Sequence, residues 1–178
     1  TYNMDCTLTT GRKLPCKSGF GGIKNVYLSD FGTLGDVTFT LGEITDMSGS
    51  TNWFKYEVKG SGNSLETSIN SSRDNGTTFY EAVLNITLPF LDRATQEEIK
   101  LLAVARPHIA VEGYDGRFYM LGLVHGAELT GGTVTTGAAG GDLTGFTMTF
   151  TAQEAEPPNF IQPSVLTPEI NGAQLEVN

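Results

Sequence analysis

Hydrophobic and polar positions alternate along much of the chain. Segments 26–31 and 36–44 are rich in β-branched and aromatic residues, and in segment 53–60 apolar residues alternate with charged ones. A period of two is typical of strands with one buried face. The pattern therefore predicts three strands. We expect the last two to pair in antiparallel fashion, with the polar segment 46–52 as an exposed loop between them.

The clearest local signal is a hairpin around Asp74-Asn75-Gly76. One strand leads in through 65–72 and another returns through 77–89, and Asn and Gly tolerate the positive φ of a type I′ turn. A closing strand is predicted at 145–154. The residues predicted to face the core from the last two strands are Ala82, Leu84, Ile86, Leu88, Phe146, Met148, Phe150 and Ala152.

Between these strands the hydrophobic period lengthens to about 3.6 residues, which predicts one helix. Asp92 or Thr95 can cap its start, and Pro107 ends it. The apolar stripe formed by Leu91, Ile99, Leu102 and Ala103 is expected to pack on one face of a sheet.

A second hairpin is predicted after Pro107, through the turn at Tyr114-Asp115-Gly116. Its second strand, within 117–126, is apolar on both faces, which indicates that both faces are covered. One cover is the internal core. For the other, the pattern favours the helix over a neighbouring subunit.

Both ends of the chain differ from this middle part. Residues 1–25 are rich in Gly, Thr and Lys without a sustained period, and 155–178 contain Pro157, Pro158, Pro163 and Pro168. We expect an N-terminal arm at 1–25, one mainly β domain at 26–154 and a proline-rich C-terminal arm at 155–178. The fold class is an antiparallel β-barrel or two-sheet sandwich with one flanking helix.

Charge and cysteine content narrow the function. Twenty acidic and eleven basic residues give a net charge of −9, which argues against a protein that grips nucleic acid through a basic face. Residues 108–178 carry eight acidic residues against a single basic one, Arg117. This acidity serves solubility or a functional anionic surface. Cys6 and Cys16 are either free thiols or a bridge that closes a small loop.

Motifs for catalysis are missing from the sequence, which lacks the phosphate-binding, dinucleotide-binding, zinc-protease and serine-hydrolase patterns. The glycine-rich run 130–145 opens no helix and carries no cation, so we expect a loop there. His108 and His125 with Glu112 or Glu128 would form a metal or acid–base pair only if the hairpin joined them; edge positions are expected instead. We expect no enzyme activity, no cofactor and no metal.

Four phrases of the sequence occur in a recognisable order: the hairpin with DNG, DRATQEEIKLLA, RPHIAVEGYDGRFYMLGLVHGAELTGG and GAAGGDLTGFTMTFTAQEAEPPNF. Together they resemble the tail tube (major tail) proteins of tailed bacteriophages over residues 37–160. The resemblance lies in this pattern of phrases, and no invariant motif carries it.

The resemblance implies a tail-tube-like fold in which six copies form a hexameric ring and stacked rings form a tube. The lumen of such a tube conducts DNA and holds the tape measure protein, and terminator and baseplate proteins cap the tube. It also implies location in the virion tail, after assembly in the host bacterial cytoplasm, with no membrane partner. Thr147, Thr149 and Thr151 are then the expected lumen residues. Met47, Ser48, Ser50 and Asn52 are the expected contacts between rings.

Two other functions stay open at this point. The related inner-tube protein of type VI secretion and other bacterial contractile injection systems has the same ring fold. A carbohydrate-binding β-sandwich module would also be acidic and rich in Gly and Thr, although such modules usually expose several planar aromatic residues. Trp53 is the single tryptophan of the chain.

Overall fold

The computed structural model describes residues 7–49, 52–58, 60 and 62–166. Its elements are eleven strands and two helices: β1 Ile23–Ser29, β2 Val37–Thr40, β3 Glu43–Met47, β4 Phe54–Glu57, β5 Ser64–Ser72, β6 Thr77–Pro89, α1 Arg93–Val104, β7 His108–Gly113, β8 Phe118–Leu121, β9 Glu128–Thr135, β10 Gly145–Glu154, β11 Asn159–Ile161 and α2 Pro163–Leu166. The mainly β prediction is confirmed.

The strands form two separate sheets. A seven-stranded sheet has the order β2-β3-β11-β8-β7-β1-β4, and a four-stranded sheet has the order β5-β6-β10-β9. Both sheets contribute to one buried cluster, which includes Leu28, Ile109, Ile86 and Phe150. The two-sheet sandwich is therefore confirmed, and the barrel alternative is wrong because neither sheet closes on itself.

The hairpin of β5 and β6 is confirmed, with Ser72 opposite Thr77 at its end. Its turn differs from the predicted type I′ geometry. Gly76 has a φ of +64°, whereas Asn75 is not among the described residues with positive φ. A four-residue connection at 73–76 needs only one left-handed residue at its last position, and glycine supplies it without steric cost.

The predicted helix is confirmed as α1. The side chain of Asp92 accepts a hydrogen bond from the Thr95 backbone N–H at 3.2 Å, so Asp92 is the cap. Ile99 and Leu102 pack against the shared core, but Leu91 and Ala103 are exposed. No helix among the described residues is long and apolar enough to cross a membrane.

The second face of the seven-stranded sheet is covered by the chain itself, although not by α1. Tyr27, Ala110 and Met120 of this face belong to a second buried cluster with Trp53 and Leu166. The prediction that the long helix covers this face is wrong. The apolar residues of α1, Ile99 and Leu102, pack against the shared core instead. Loop residues and the short helix α2 cover this face instead.

Several predicted elements differ from the structure in the N-terminal half. Segment 36–44 forms parts of two strands, β2 and β3, separated by Leu41 and Gly42, both with positive φ. The expected pairing of segments 36–44 and 53–60 is wrong, because β4 pairs with β1. Segment 7–22 holds no strand or helix, and the first strand, β1, begins at Ile23, three residues before the predicted start of the β domain.

Further differences lie in the C-terminal half. The glycine-rich run predicted as a loop starts with β9, which pairs with β10. The predicted C-terminal arm contains β11 and α2, and Ile161 and Leu166 are buried. β11 runs parallel to β3, so the seven-stranded sheet is not wholly antiparallel. Residues 167–178 lie outside the described residues.

Candidate assembly surface

The outer face of the four-stranded sheet is polar. Along β10, Phe146, Met148 and Phe150 are buried in the core, whereas Thr147, Thr149 and Thr151 between them are partly exposed. Because successive strand residues point to opposite faces, these threonines lie on the face away from the seven-stranded sheet. The predicted outward direction of the three threonines is confirmed.

Hydrogen bonds between neighbouring strands hold this face in order. Thr133 and Thr147 hydroxyls are 2.6 Å apart, and Thr149 donates to the Asn85 side-chain oxygen at 2.9 Å. The Gln153 amide donates to the Glu81 carboxylate at 2.7 Å. Cross-strand pairs of this kind stabilise a sheet and fix side-chain positions. The surface is therefore an ordered polar wall.

This wall is acidic and lacks cations. The strands β5, β6, β9 and β10 contain no lysine, arginine or histidine, and three glutamates, Glu66, Glu81 and Glu128, lie on the same face as the threonines. Phosphate backbones bind proteins mainly through lysine and arginine. The face is suited to repel a polyanion rather than to hold it.

The two edges of this sheet are long. β5 has nine residues and β9 has eight, and each is paired on one side within the described part of the chain. Neither contains proline, lysine or arginine, which proteins use to protect an edge from further pairing. Only a bulge near Thr130 interrupts β9. Both edges can therefore accept another strand.

The edge strands of the seven-stranded sheet, β2 and β4, are shorter than β5 and β9 and differ from them in composition. β2 and β4 have four residues each, and β4 carries Lys55, which forms an ion pair with Glu57 at 3.4 Å. Short length and charge both weaken strand addition. The edges most open to self-association are β5 and β9.

Only part of the predicted ring-contact loop is available on the surface. Met47 lies at the end of β3 and is buried in the second core cluster, whereas the predicted contact between rings needs an exposed side chain. Ser48 is exposed, but its hydroxyl accepts a hydrogen bond from the Asp36 backbone N–H at 2.7 Å. Asn52 is exposed, and Ser50 lies outside the described residues.

The two histidines do not form a joint site. His108 is buried in a central strand, where Nδ1–H donates to the Gly122 carbonyl at 2.6 Å and Nε2 accepts from the Gly32 N–H at 3.1 Å. Burial lowers its pKa. His125 is exposed, and its ring lies 3.9 Å from Glu154. The expected edge position is wrong for His108, which is a structural residue in its neutral form.

Other chemistry-bearing groups have structural partners. Glu112 accepts hydrogen bonds from Asn25 at 2.7 Å and from Tyr27 at 2.8 Å, and burial together with this carboxylate raises the pKa of Tyr27. Within the described ranges, no group of three or more acidic, histidine or cysteine residues could hold a metal ion. Cys16 is an exposed free thiol, and Cys6 lies outside the described residues.

Trp53 is fully buried, with 0% exposure, and packs in the second core cluster. It therefore offers no platform for a sugar ring. The single tryptophan of the chain therefore gives no support to the carbohydrate-binding alternative.

Comparisons with known proteins add no relative. A scan against protein-family models finds no match to the chain, and a search of curated proteins finds none either.

Proposed function

We propose that the chain is the structural subunit of a viral tail tube, in which six copies form a ring and stacked rings form the tube. The observation that carries the proposal is the four-stranded sheet: both its edge strands are long and contain no proline, lysine or arginine, and its outer face is polar and free of cations. The order of sequence phrases that resembles tail tube proteins supports the same function.

Strand directions permit a closed ring. The pairs β5–β6, β6–β10 and β10–β9 are all antiparallel, so β5 and β9 run in opposite directions. When copies are related by rotation, β9 of one copy therefore meets β5 of the next in antiparallel orientation. Every junction in the ring would have the same hydrogen-bonding pattern as the sheet itself.

The size of such a wall suits DNA passage. Six copies of a four-stranded sheet would supply 24 strands. At a strand spacing of about 4.8 Å, the circumference is about 115 Å and the backbone diameter about 37 Å before any tilt, which widens it further. A tube of this backbone diameter leaves room for a DNA duplex even after the side chains that line the wall are taken into account.

The charge of the wall fits the same role. In the proposed tube the outer faces of the four-stranded sheets line the lumen, so Thr147, Thr149 and Thr151 would meet the DNA together with Glu66, Glu81 and Glu128. A cation-free lining would not retain the phosphate backbone during ejection. This favours a DNA conduit over the inner tube of a type VI or other injection apparatus, which conducts no genome. Tape measure, terminator and baseplate proteins are the expected partners, in the virion tail.

Negative-stain microscopy and sedimentation velocity of the purified chain test the proposal. We expect rings or tubes with sixfold symmetry, and the assembled fraction should increase with protein concentration. A monodisperse monomer at every concentration, without rings, would contradict it.

A further inference from the structure

The connection between β5 and β6 carries an Asn-Gly dipeptide at its tip. Residues 73–76 join the paired residues Ser72 and Thr77, and all four are exposed. Gly76 has a φ of +64°, and a Cβ added at this position would meet nothing within 4 Å. The dipeptide Asn75-Gly76 therefore lies in open solvent, outside the packed part of the hairpin.

An asparagine followed by glycine can react with its own backbone. The Gly76 nitrogen attacks Cγ of Asn75 and forms an N–Cγ bond, while the Cγ–Nδ2 bond breaks and takes the proton of the attacking N–H away as ammonia. One water then opens the resulting succinimide ring at either carbonyl, which gives aspartate or isoaspartate. Water is the one co-reactant, and nothing is oxidised or reduced. Because both reacting atoms belong to adjacent residues, local geometry sets the rate.

The turn restrains Asn75 only weakly. The Asn75 backbone N–H donates to the Ser72 hydroxyl at 3.3 Å, and the Gly76 N–H donates to the Arg73 carbonyl, also at 3.3 Å. Both distances are longer than those of a strong N–H···O bond. Glycine has no side chain that would hinder the approach of its nitrogen to Cγ, and it rotates freely. The backbone around the dipeptide can therefore reach the geometry for ring closure.

Other asparagines of the domain are held by their side chains. The Asn25 amide donates to Glu112 at 2.7 Å, and the Asn85 oxygen accepts from the Thr149 hydroxyl at 2.9 Å. Asn63 accepts from the Thr87 N–H at 2.8 Å. These bonds oppose the rotation that ring closure needs. Among the described asparagines, only Asn75 precedes glycine; the second Asn-Gly of the sequence, 171–172, lies outside the described residues.

We propose that Asn75 is a site of spontaneous deamidation in the folded protein. The modification adds one negative charge to the tip of the hairpin. Where isoaspartate forms, it also adds one carbon to the main chain between the paired residues Ser72 and Thr77, at the end of edge strand β5. This inference does not depend on the proposed tube function.

Peptide mapping of the full chain after incubation at mildly alkaline pH tests the site. One tryptic fragment, 74–93, contains both Asn75 and Asn85, so the same spectrum provides an internal control. We expect a mass increase of about 1 Da at Asn75, with two separable products, and none at Asn85. Asn75→Gln should slow the reaction at least about tenfold, because glutamine must close a larger ring. An unchanged mass at Asn75 would overturn the proposal.

Ser71→Gly separates the effect of the fold from that of the dipeptide. It creates a second Asn-Gly at 70–71, within the paired part of β5, where Asn70 lies opposite Phe79. Ser71 is exposed, so the hairpin should tolerate glycine. Extended backbone keeps the following nitrogen away from the side-chain Cγ, and Asn70 should react at least about tenfold more slowly than Asn75. Equal rates in the folded chain would contradict the role of the turn.

Asn75→Asp separates the two consequences of the modification, because it adds the charge without lengthening the main chain. In hydrogen–deuterium exchange, the isoaspartate form of the native chain should exchange the amides of Ser72 and Thr77 about tenfold faster than the fresh protein. Asn75→Asp should match the fresh protein. If the isoaspartate form exchanged as slowly as Asn75→Asp, the inferred disturbance at the end of β5 would be wrong.

Discussion

The two sheets of the sandwich differ in how much of each is covered. The seven-stranded sheet is packed on both faces, one against the shared core and the other against Trp53 and α2, and its edge strands are short. The four-stranded sheet is buried on one face only and has long edges. The seven-stranded sheet contributes most of the buried core. The four-stranded sheet exposes one polar face and the backbone groups of two long edge strands.

The largest expected effect compares the two faces of β10. Phe150 is fully buried where both sheets meet, so Phe150→Ala should lower the free energy of unfolding by about 3–5 kcal/mol. Thr149→Ala removes one partly exposed hydrogen bond and should cost about 1 kcal/mol or less. Urea denaturation of both variants measures the difference. Equal losses would mean that the outer face is also part of the core.

Substitution of His108 tests how much its two hydrogen bonds stabilise the seven-stranded sheet. His108→Ala leaves the Gly32 N–H and the Gly122 carbonyl without their partner, and should cost about 1–3 kcal/mol of unfolding free energy at pH 8.

The same residue gives the native protein a pH dependence. The folded pKa of His108 lies below its ordinary value of 6.5, so the unfolded state binds the proton more readily. The stabilising contribution of the neutral ring is complete above that value. It is lost as the pH falls toward the folded pKa, by at most about 1.4 kcal/mol per pH unit. Denaturation curves between pH 8 and 5 should show this loss in the native chain, and His108→Ala should lack it.

Lysines at the edges test whether only the four-stranded sheet associates. Ser68→Lys with Thr133→Lys places a cation on β5 and on β9, and should raise the concentration needed for assembly about tenfold or more. The unfolding free energy should fall by about 1 kcal/mol or less, because both residues are exposed and only the hydrogen bond between the Thr133 and Thr147 hydroxyls is lost.

Thr38→Lys in β2 is the matched control for this pair. It should leave assembly unchanged in sedimentation velocity. If β2 proved as sensitive as β5 and β9, the distinction between the sheets would be wrong.

The smallest effect on assembly is expected from lysines at the centre of the wall. Thr147→Lys with Thr149→Lys and Thr151→Lys changes the predicted lumen, while β10 lies away from both edges. Rings should still form, but they should retain duplex DNA at low salt and release it as salt rises. Replacement of the same residues by serine should give rings that do not retain DNA. Retention by neither form would show that these residues do not face the lumen.

The parts of the fold that follow local rules could be predicted from the sequence. β6 and β10 alternate cleanly, Asp92 precedes a helical period, and the hairpin turn ends in glycine. β9 was missed because Gly131 and Gly132 erase its alternation. Glycine is required at 132, since an added Cβ would clash with the Thr147 carbonyl oxygen of the neighbouring strand. The flanking Leu129 and Val134 were the available signal.

Features set by distant contacts could not be predicted. The three-residue strand β11 gains its place by pairing with β3 and β8, far away in the sequence. Met47 stands in a polar stretch of the sequence, but it belongs to the buried cluster that includes residues of β7 and β8. The concave site lined by Leu28, Phe54, Leu88 and Leu101 joins residues from four separate segments of the chain. Local periodicity carries no information on contacts between segments that lie far apart in the sequence.

Hydrogen–deuterium exchange of the assembled and the dissociated protein tests the central claim most directly. If copies join through β5 and β9, the backbone amides of these two strands should gain protection on assembly, while those of β2 remain unchanged. Unchanged exchange in β5 and β9, or protection confined to β2, would contradict a continuous wall built from the four-stranded sheets.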